Sequence, residues 1–140
     1  MEIKFIKRNI LQRLFGLPAT KAPSDPGCWT YSGRKLVVDL KRAPELSEPG
    51  GAIRLEGKNL PERVLIIHAD DGSYRAFHNR CKHMGRRLDP VPQTATVQCC
   101  SVSKTTYAYD GSVLYGPAKE PVETFEVESA DGKLVVVLKG

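Results

Sequence analysis

Residues 81–118 read CKHMGRRLDPVPQTATVQCCSVSKTTYAYDGSVLYGPA, and the order of donor atoms in this stretch decides how the rest of the chain is interpreted. Cys81 and His83 are separated by a single residue, so a thiolate and an imidazole can project from one tight loop towards neighbouring metal atoms. Gly85 follows, and glycine lets a backbone turn closely around whatever the loop encloses. Fifteen residues separate His83 from Cys99 and sixteen separate it from Cys100. A second loop, QCCSVSKTTYAYDG (98–111), therefore offers one or two further thiols. Gly116-Pro117-Ala118 closes the region with a turn before the next strand, near Val122.

On both sides of this stretch the signals are those of β-structure. KLVVDL (35–40), AIRL (52–55), RVLIIHA (63–69), YRAFHN (74–79) and KLVVVL (133–138) are short runs rich in branched and aromatic residues. Asp70-Asp71-Gly72, Asp110-Gly111 and Asp131-Gly132 fall between runs, where hairpin turns are expected. The pattern predicts an all-β fold, an antiparallel sandwich or partly open barrel, with one insertion between about residues 80 and 116 that carries the chemistry.

The segment from about Arg63 to Leu138 resembles the Rieske family. That family's pattern is Cys-x-His-x-Gly in a first loop and Cys-x-x-His in a second, followed by an aromatic residue, an Asp-Gly-type turn and Gly-Pro-Ala. CKHMGRRLDP matches the first loop through Cys81, His83, Gly85 and Leu88, and YAYDGSVLYGPAKEPVETFEV resembles the segment after the second. The resemblance implies a Rieske-like β-sandwich, a [2Fe–2S] cluster and electron transfer. In Rieske centres two cysteines hold one iron and two histidines hold the other, which raises the reduction potential.

This chain departs from the pattern at one ligand. With Cys100 as the second cysteine, the second histidine position is Ser103; with Cys99, it is Val102. His68 and His78 lie in or beside the preceding strands and do not fill the gap. The ligands expected from the resemblance are Cys81 and His83, then Cys100, then Cys99, with Ser103 last; Cys28 is a further candidate for the fourth position. Three thiolates and one imidazole would lower the potential relative to two histidines. The residues leave two other readings open. Cys81, His83, Cys99 and Cys100 would suit a tetrahedral metal such as zinc, or the scaffold carries no metal and serves partner recognition. A vicinal disulfide between Cys99 and Cys100 is a minor alternative.

The chain has 140 residues, with 41% hydrophobic and 26% charged, the size and balance of one globular domain. A formal charge of +5, without a long basic run or an interleaved aromatic stripe, excludes nucleic acid as the expected partner. No stretch reaches the roughly 18 apolar residues of a membrane span, and the N-terminus lacks the uninterrupted apolar segment of a secretory signal. A cytoplasmic location, where thiols stay reduced, is expected. Ile3, Ile6, Ile10, Leu14 and Leu17 recur at helical spacing, predicting a short amphipathic helix over roughly residues 3–15. Residues 1–27 then form an arm and proline-containing connector that either packs on its own domain or docks to a partner or membrane surface, and residues 28–140 form the Rieske-like domain. There is no nucleotide-binding glycine motif and no second domain for a substrate. The expectation is a ferredoxin-like electron carrier or small subunit, with Lys82, Arg86, Arg87 and Lys104 available to steer an acidic redox partner.

Overall fold

The protein was analysed as a computed structural model that describes residues 19–82, 85–101 and 103–138. The expected helix over residues 3–15 lies outside the described residues, as does His83. Among the described residues, eleven strands form two sheets in which every pairing is antiparallel. In chain order they are β1 (Trp29–Ser32), β2 (Lys35–Asp39), β3 (Ala52–Leu55), β4 (Val64–His68), β5 (Tyr74–His78), β6 (Leu88–Val91), β7 (Thr96–Cys99), β8 (Thr106–Ala108), β9 (Val113–Tyr115), β10 (Thr124–Ala130) and β11 (Lys133–Val137). The larger sheet runs β1-β2-β11-β10-β5-β4-β3, and the smaller runs β6-β7-β8-β9. The region anticipated as an insertion is thus itself a four-stranded sheet.

The continuous apolar run of β4 has a simple cause. All five of its residues are buried, and successive side chains of a strand point to opposite faces. Val64 and Ile66 enter a first core with Leu36, Val38, Ile53, Leu134 and Val136. Leu65 and Ile67 enter a second with Cys81, Leu88, Val97, Cys99 and Tyr107. Ala76 and Phe77 of β5 divide in the same way. By contrast, β2 and β11 each alternate buried with less buried residues, because only one of their faces is covered.

The three Asp-Gly sites join β4 to β5, β8 to β9 and β10 to β11. At the end of β5 the chain leaves the large sheet and begins the small one. Buried Asn79 fixes that exit, with its amide donating to the Arg63 carbonyl (2.8 Å) and its side-chain oxygen accepting from the Leu88 amide (2.7 Å). Gly116 has φ +101°, and a Cβ there would stand 2.7 Å from the Thr105 backbone, so only glycine allows this approach of the closing turn to the second loop.

The connector is fastened to the small sheet through a buried carboxylate. Asp89 accepts from the amides of Ala19 and Thr20, each at 2.8 Å, while Arg54 donates from its backbone to Lys21 and from Nε to Thr20. Replacing Asp89 with Ala removes two charge-assisted bonds from a buried site. The expected loss is about 2–4 kcal/mol in denaturant unfolding, with new protease cleavage near residues 19–22. A loss within about 0.5 kcal/mol would show that the connector is not held this way.

Candidate metal centre

Two adjacent turns of chain bring the candidate ligands together. The first leaves β5 and re-enters at β6; Gly85, at φ +70°, donates its amide to the Cys81 carbonyl at 2.8 Å, and the Cys81 amide donates to the Arg86 carbonyl at 2.7 Å. Arg63 donates to the Gly85 carbonyl at 2.6 Å and braces the turn from β4's side. The second leaves β7 and returns in β8, with the Cys99 amide donating to Thr105 at 2.7 Å. Pairing of β6 with β7 sets Cys99 opposite Leu88, and the Cys100 amide donates to Arg87 at 3.0 Å. The two turns are therefore tied at their bases by backbone bonds.

Strand parity separates the neighbouring cysteines. Cys99 points into the second core, which Cys81 also enters, and the neighbouring Cys81 thiol raises the Cys99 pKa. Cys100 is also buried, but its charged surroundings are Asp89, Arg86, Arg63 and Arg87. Cys28, a sequence candidate for a fourth ligand, is corrected by the fold: it belongs to the first core, with Trp29 and Leu46, and faces Asp25 and Glu45. All four cysteines are free thiols, so no Cys99–Cys100 disulfide is formed.

Tyr107 is fully buried beside the thiol pair. Its hydroxyl accepts from the Lys82 amide at 3.0 Å and lies 3.4 Å from the Cys81 sulfur. Either the phenol or the thiol can donate across this contact, and once Cys81 is a thiolate only the phenol can. The sequence places Tyr107 at the family's aromatic position when Cys100 is taken as the second cysteine, but nothing in spacing alone reports this contact. From Cys99 a chain of hydroxyls runs outward through Ser101 (3.1 Å), Ser103 (3.1 Å) and Thr105 (3.2 Å). Ser103 is thus two hydrogen bonds from the Cys99 sulfur. His68 is bound to the Leu46 carbonyl and stacked on Tyr74, outside this group.

Burial and the Cys81 thiol set the site's proton chemistry. The Cys99 thiol is driven far above its ordinary range, first by its hydrogen bond to Cys81 and then by desolvation. Burial also raises Cys100 and Tyr107. Arg87 clamps Glu56 through both carboxylate oxygens, holding that carboxyl below its usual range and the guanidinium above.

The donor set suits half of a [2Fe–2S] centre directly. Two buried cysteines from separate turns enter one core, with a phenol hydroxyl 3.4 Å from the Cys81 sulfur, and two thiolates are what one iron of such a centre takes. The histidine half differs: taking Cys99 as the second cysteine puts Val102, which has no donor atom, at the second histidine position.

The family model described as the Rieske [2Fe-2S] domain matches residues 37–126. The chain is 28% identical over 102 residues to the cytochrome b6-f complex iron-sulfur subunit of Chlorobaculum tepidum, covering 73% of this chain and 55% of that protein. It is 29% identical over 97 residues to the carnitine monooxygenase oxygenase subunit of Acinetobacter baumannii, covering 69% and 26% respectively. It spans about half the length of the first relative and about a quarter of the second. In fold it is similar to the ferredoxin of carbazole 1,9a-dioxygenase from Nocardioides aromaticivorans, with TM-score 0.59 and 20% identity over 74% of this chain and 95% of that one.

A thiol whose folded pKa lies above its unfolded value of 9.0 binds its proton more tightly in the folded chain. Its contribution to stability is complete below that value and is lost as pH rises through the folded pKa. The melting temperature of metal-free protein is therefore expected to fall from about pH 8 to about pH 10, and replacing Cys99 with Ala should flatten the slope. An unchanged slope in that variant would contradict the assignment.

Proposed function

The chain belongs to the Rieske [2Fe-2S] domain family, and from that premise we propose that it carries single electrons, with Cys81, Cys99 and His83 as the first three ligands of an atypical cluster. The observation that supports this most is the meeting of the Cys81 and Cys99 thiols beneath the Tyr107 hydroxyl. When bound, the cluster supplies one-electron exchange without proton or group transfer. Cys99 stands ahead of Cys100 in the ligand order because it shares a core with Cys81. Ser103, Cys100 and water compete for the fourth position, with Ser103 two hydrogen bonds from the Cys99 sulfur.

The chain's own groups set the conditions at the site. Tyr107 donates to the Cys81 sulfur and so favours added negative charge there. Burial of both sulfurs excludes water, whereas Arg80 and Lys82 beside Cys81 are exposed. Those cations form the approach for an acidic redox protein, such as a reductase or a terminal oxidoreductase. The N-terminal segment before Ala19 is a second contact for that partner. Among the described residues no helix is long and apolar enough to cross a membrane; because no disulfide joins the four cysteines, we assign the protein to the cytoplasm.

Iron and acid-labile sulfide analysis of anaerobically purified protein tests the reading, with about two of each expected per chain. Replacing Cys81 or Cys99 with Ser should abolish both iron and visible absorbance, while Cys100→Ser should keep them. Colourless, iron-free wild-type protein would end the proposal in favour of a metal-free recognition module. In the iron-loaded protein, Tyr107→Phe should retain the cluster and lower its reduction potential, because the proton at sulfur is lost. A potential equal to that of the wild type would remove Tyr107 from the site.

A further inference from the structure

Away from the paired thiols, three strand ends of the large sheet bring a second donor group together. Val64 is paired with His78, and Thr124 with Phe77, so the start of β4, the end of β5 and the start of β10 lie side by side. Glu62 precedes β4, His78 ends β5, and Glu123 precedes β10. Backbone bonds fix this alignment, with the His78 amide donating to Glu123 at 2.9 Å and the Asn79 amide to Arg63 at 2.8 Å. One ring nitrogen of His78 and one carboxylate oxygen from each glutamate lie within 4.8 Å of one another.

Two polar atoms of these residues are buried without a hydrogen-bond partner among the described residues: Nδ1 of His78 and Oε2 of Glu62. A buried polar atom left unpaired costs about 1–3 kcal/mol, so such a pair at one point calls for an explanation. An internal hydrogen bond does not supply it, because His78 Nδ1 stands 4.0 Å from Glu123 Oε2. Burial lowers the His78 pKa against the opposing pull of the two carboxylates, which favours the form with a lone pair to offer. Side-chain exposures of 18% for His78 and 30% for Glu123 leave one side open to water.

We propose that Glu62, His78 and Glu123 form a binding site for a divalent first-row cation, separate from the cysteine centre. Donors around such an ion sit about 2.0–2.2 Å from it, so small side-chain rotations of about an ångström close the site, with water completing the shell. The mixed oxygen and imidazole set favours zinc- and manganese-class ions over the soft metals that thiolates select. A cation here ties together three strand ends, one of which, the end of β5, leads into the turn bearing Cys81.

Manganese(II) is a suitable probe because carboxylates hold it and thiolates do not. It would be titrated into the oxidised full chain, with unbound ion measured from its aqueous paramagnetic resonance signal. About one ion bound per chain is expected, displaced by zinc, with affinity at least roughly tenfold weaker in the Glu62→Gln, Glu123→Gln double variant. Glu120→Gln, a control on the neighbouring exposed segment, should bind as the wild type does. No binding up to millimolar manganese, or unchanged binding in the double variant, would overturn the site. If the double variant fails to fold, wild-type nuclear resonances decide: selective broadening of His78 ring signals supports the site, and its absence overturns it. The readout does not depend on iron content, so it stands or falls apart from the electron-transfer proposal.

Discussion

Two hydrophobic cores share one wall, and the candidate metal centre is enclosed because that wall is buried on both faces. Strand β4 sends Val64 and Ile66 one way and Leu65 and Ile67 the other. The first face completes the large sheet's own packing. The second gives the small sheet an apolar surface to close upon, and the two thiols are sealed in that closure with Leu88, Val97 and Tyr107. A charged residue at 65 or 67 would leave the large sheet its first core and deprive the small sheet of its support.

Backbone register then decides which thiol does what. The β6–β7 pairing places Cys99 opposite Leu88 and so sends its sulfur inward to Cys81. The next residue, Cys100, lies just past the end of β7 and faces Asp89 and the arginines. Two neighbouring cysteines in sequence therefore occupy different chemical settings. The same alignment of strand ends that presents the Cys81 turn gathers Glu62, His78 and Glu123 one step earlier along β5.

Much of the fold was legible because its strands carry their environment in their composition. KLVVDL, AIRL, RVLIIHA, YRAFHN and KLVVVL each contain an observed strand, and the three Asp-Gly sites are hairpin turns. The small sheet was harder to see: β6 contains a proline and an aspartate, and β8 and β9 have three residues each. In the site, Cys81 and the second thiol loop could be found from donor type and spacing. The choice between Cys99 and Cys100 could not, since loop spacing does not report strand parity. The roles of Tyr107 and Asp89 were hidden for a related reason. Each depends on a partner distant in sequence, Cys81 for one and the Ala19–Thr20 backbone for the other.

Pulsed electron paramagnetic resonance on the reduced, anaerobic protein addresses the central claim most directly, because nitrogen couplings count the imidazoles bound to the paramagnetic centre. The account predicts a reduced [2Fe–2S] signal with coupling from one imidazole and a thiolate-rich ligand field. Couplings from two imidazoles, or no paramagnetic centre on reduction, would contradict it.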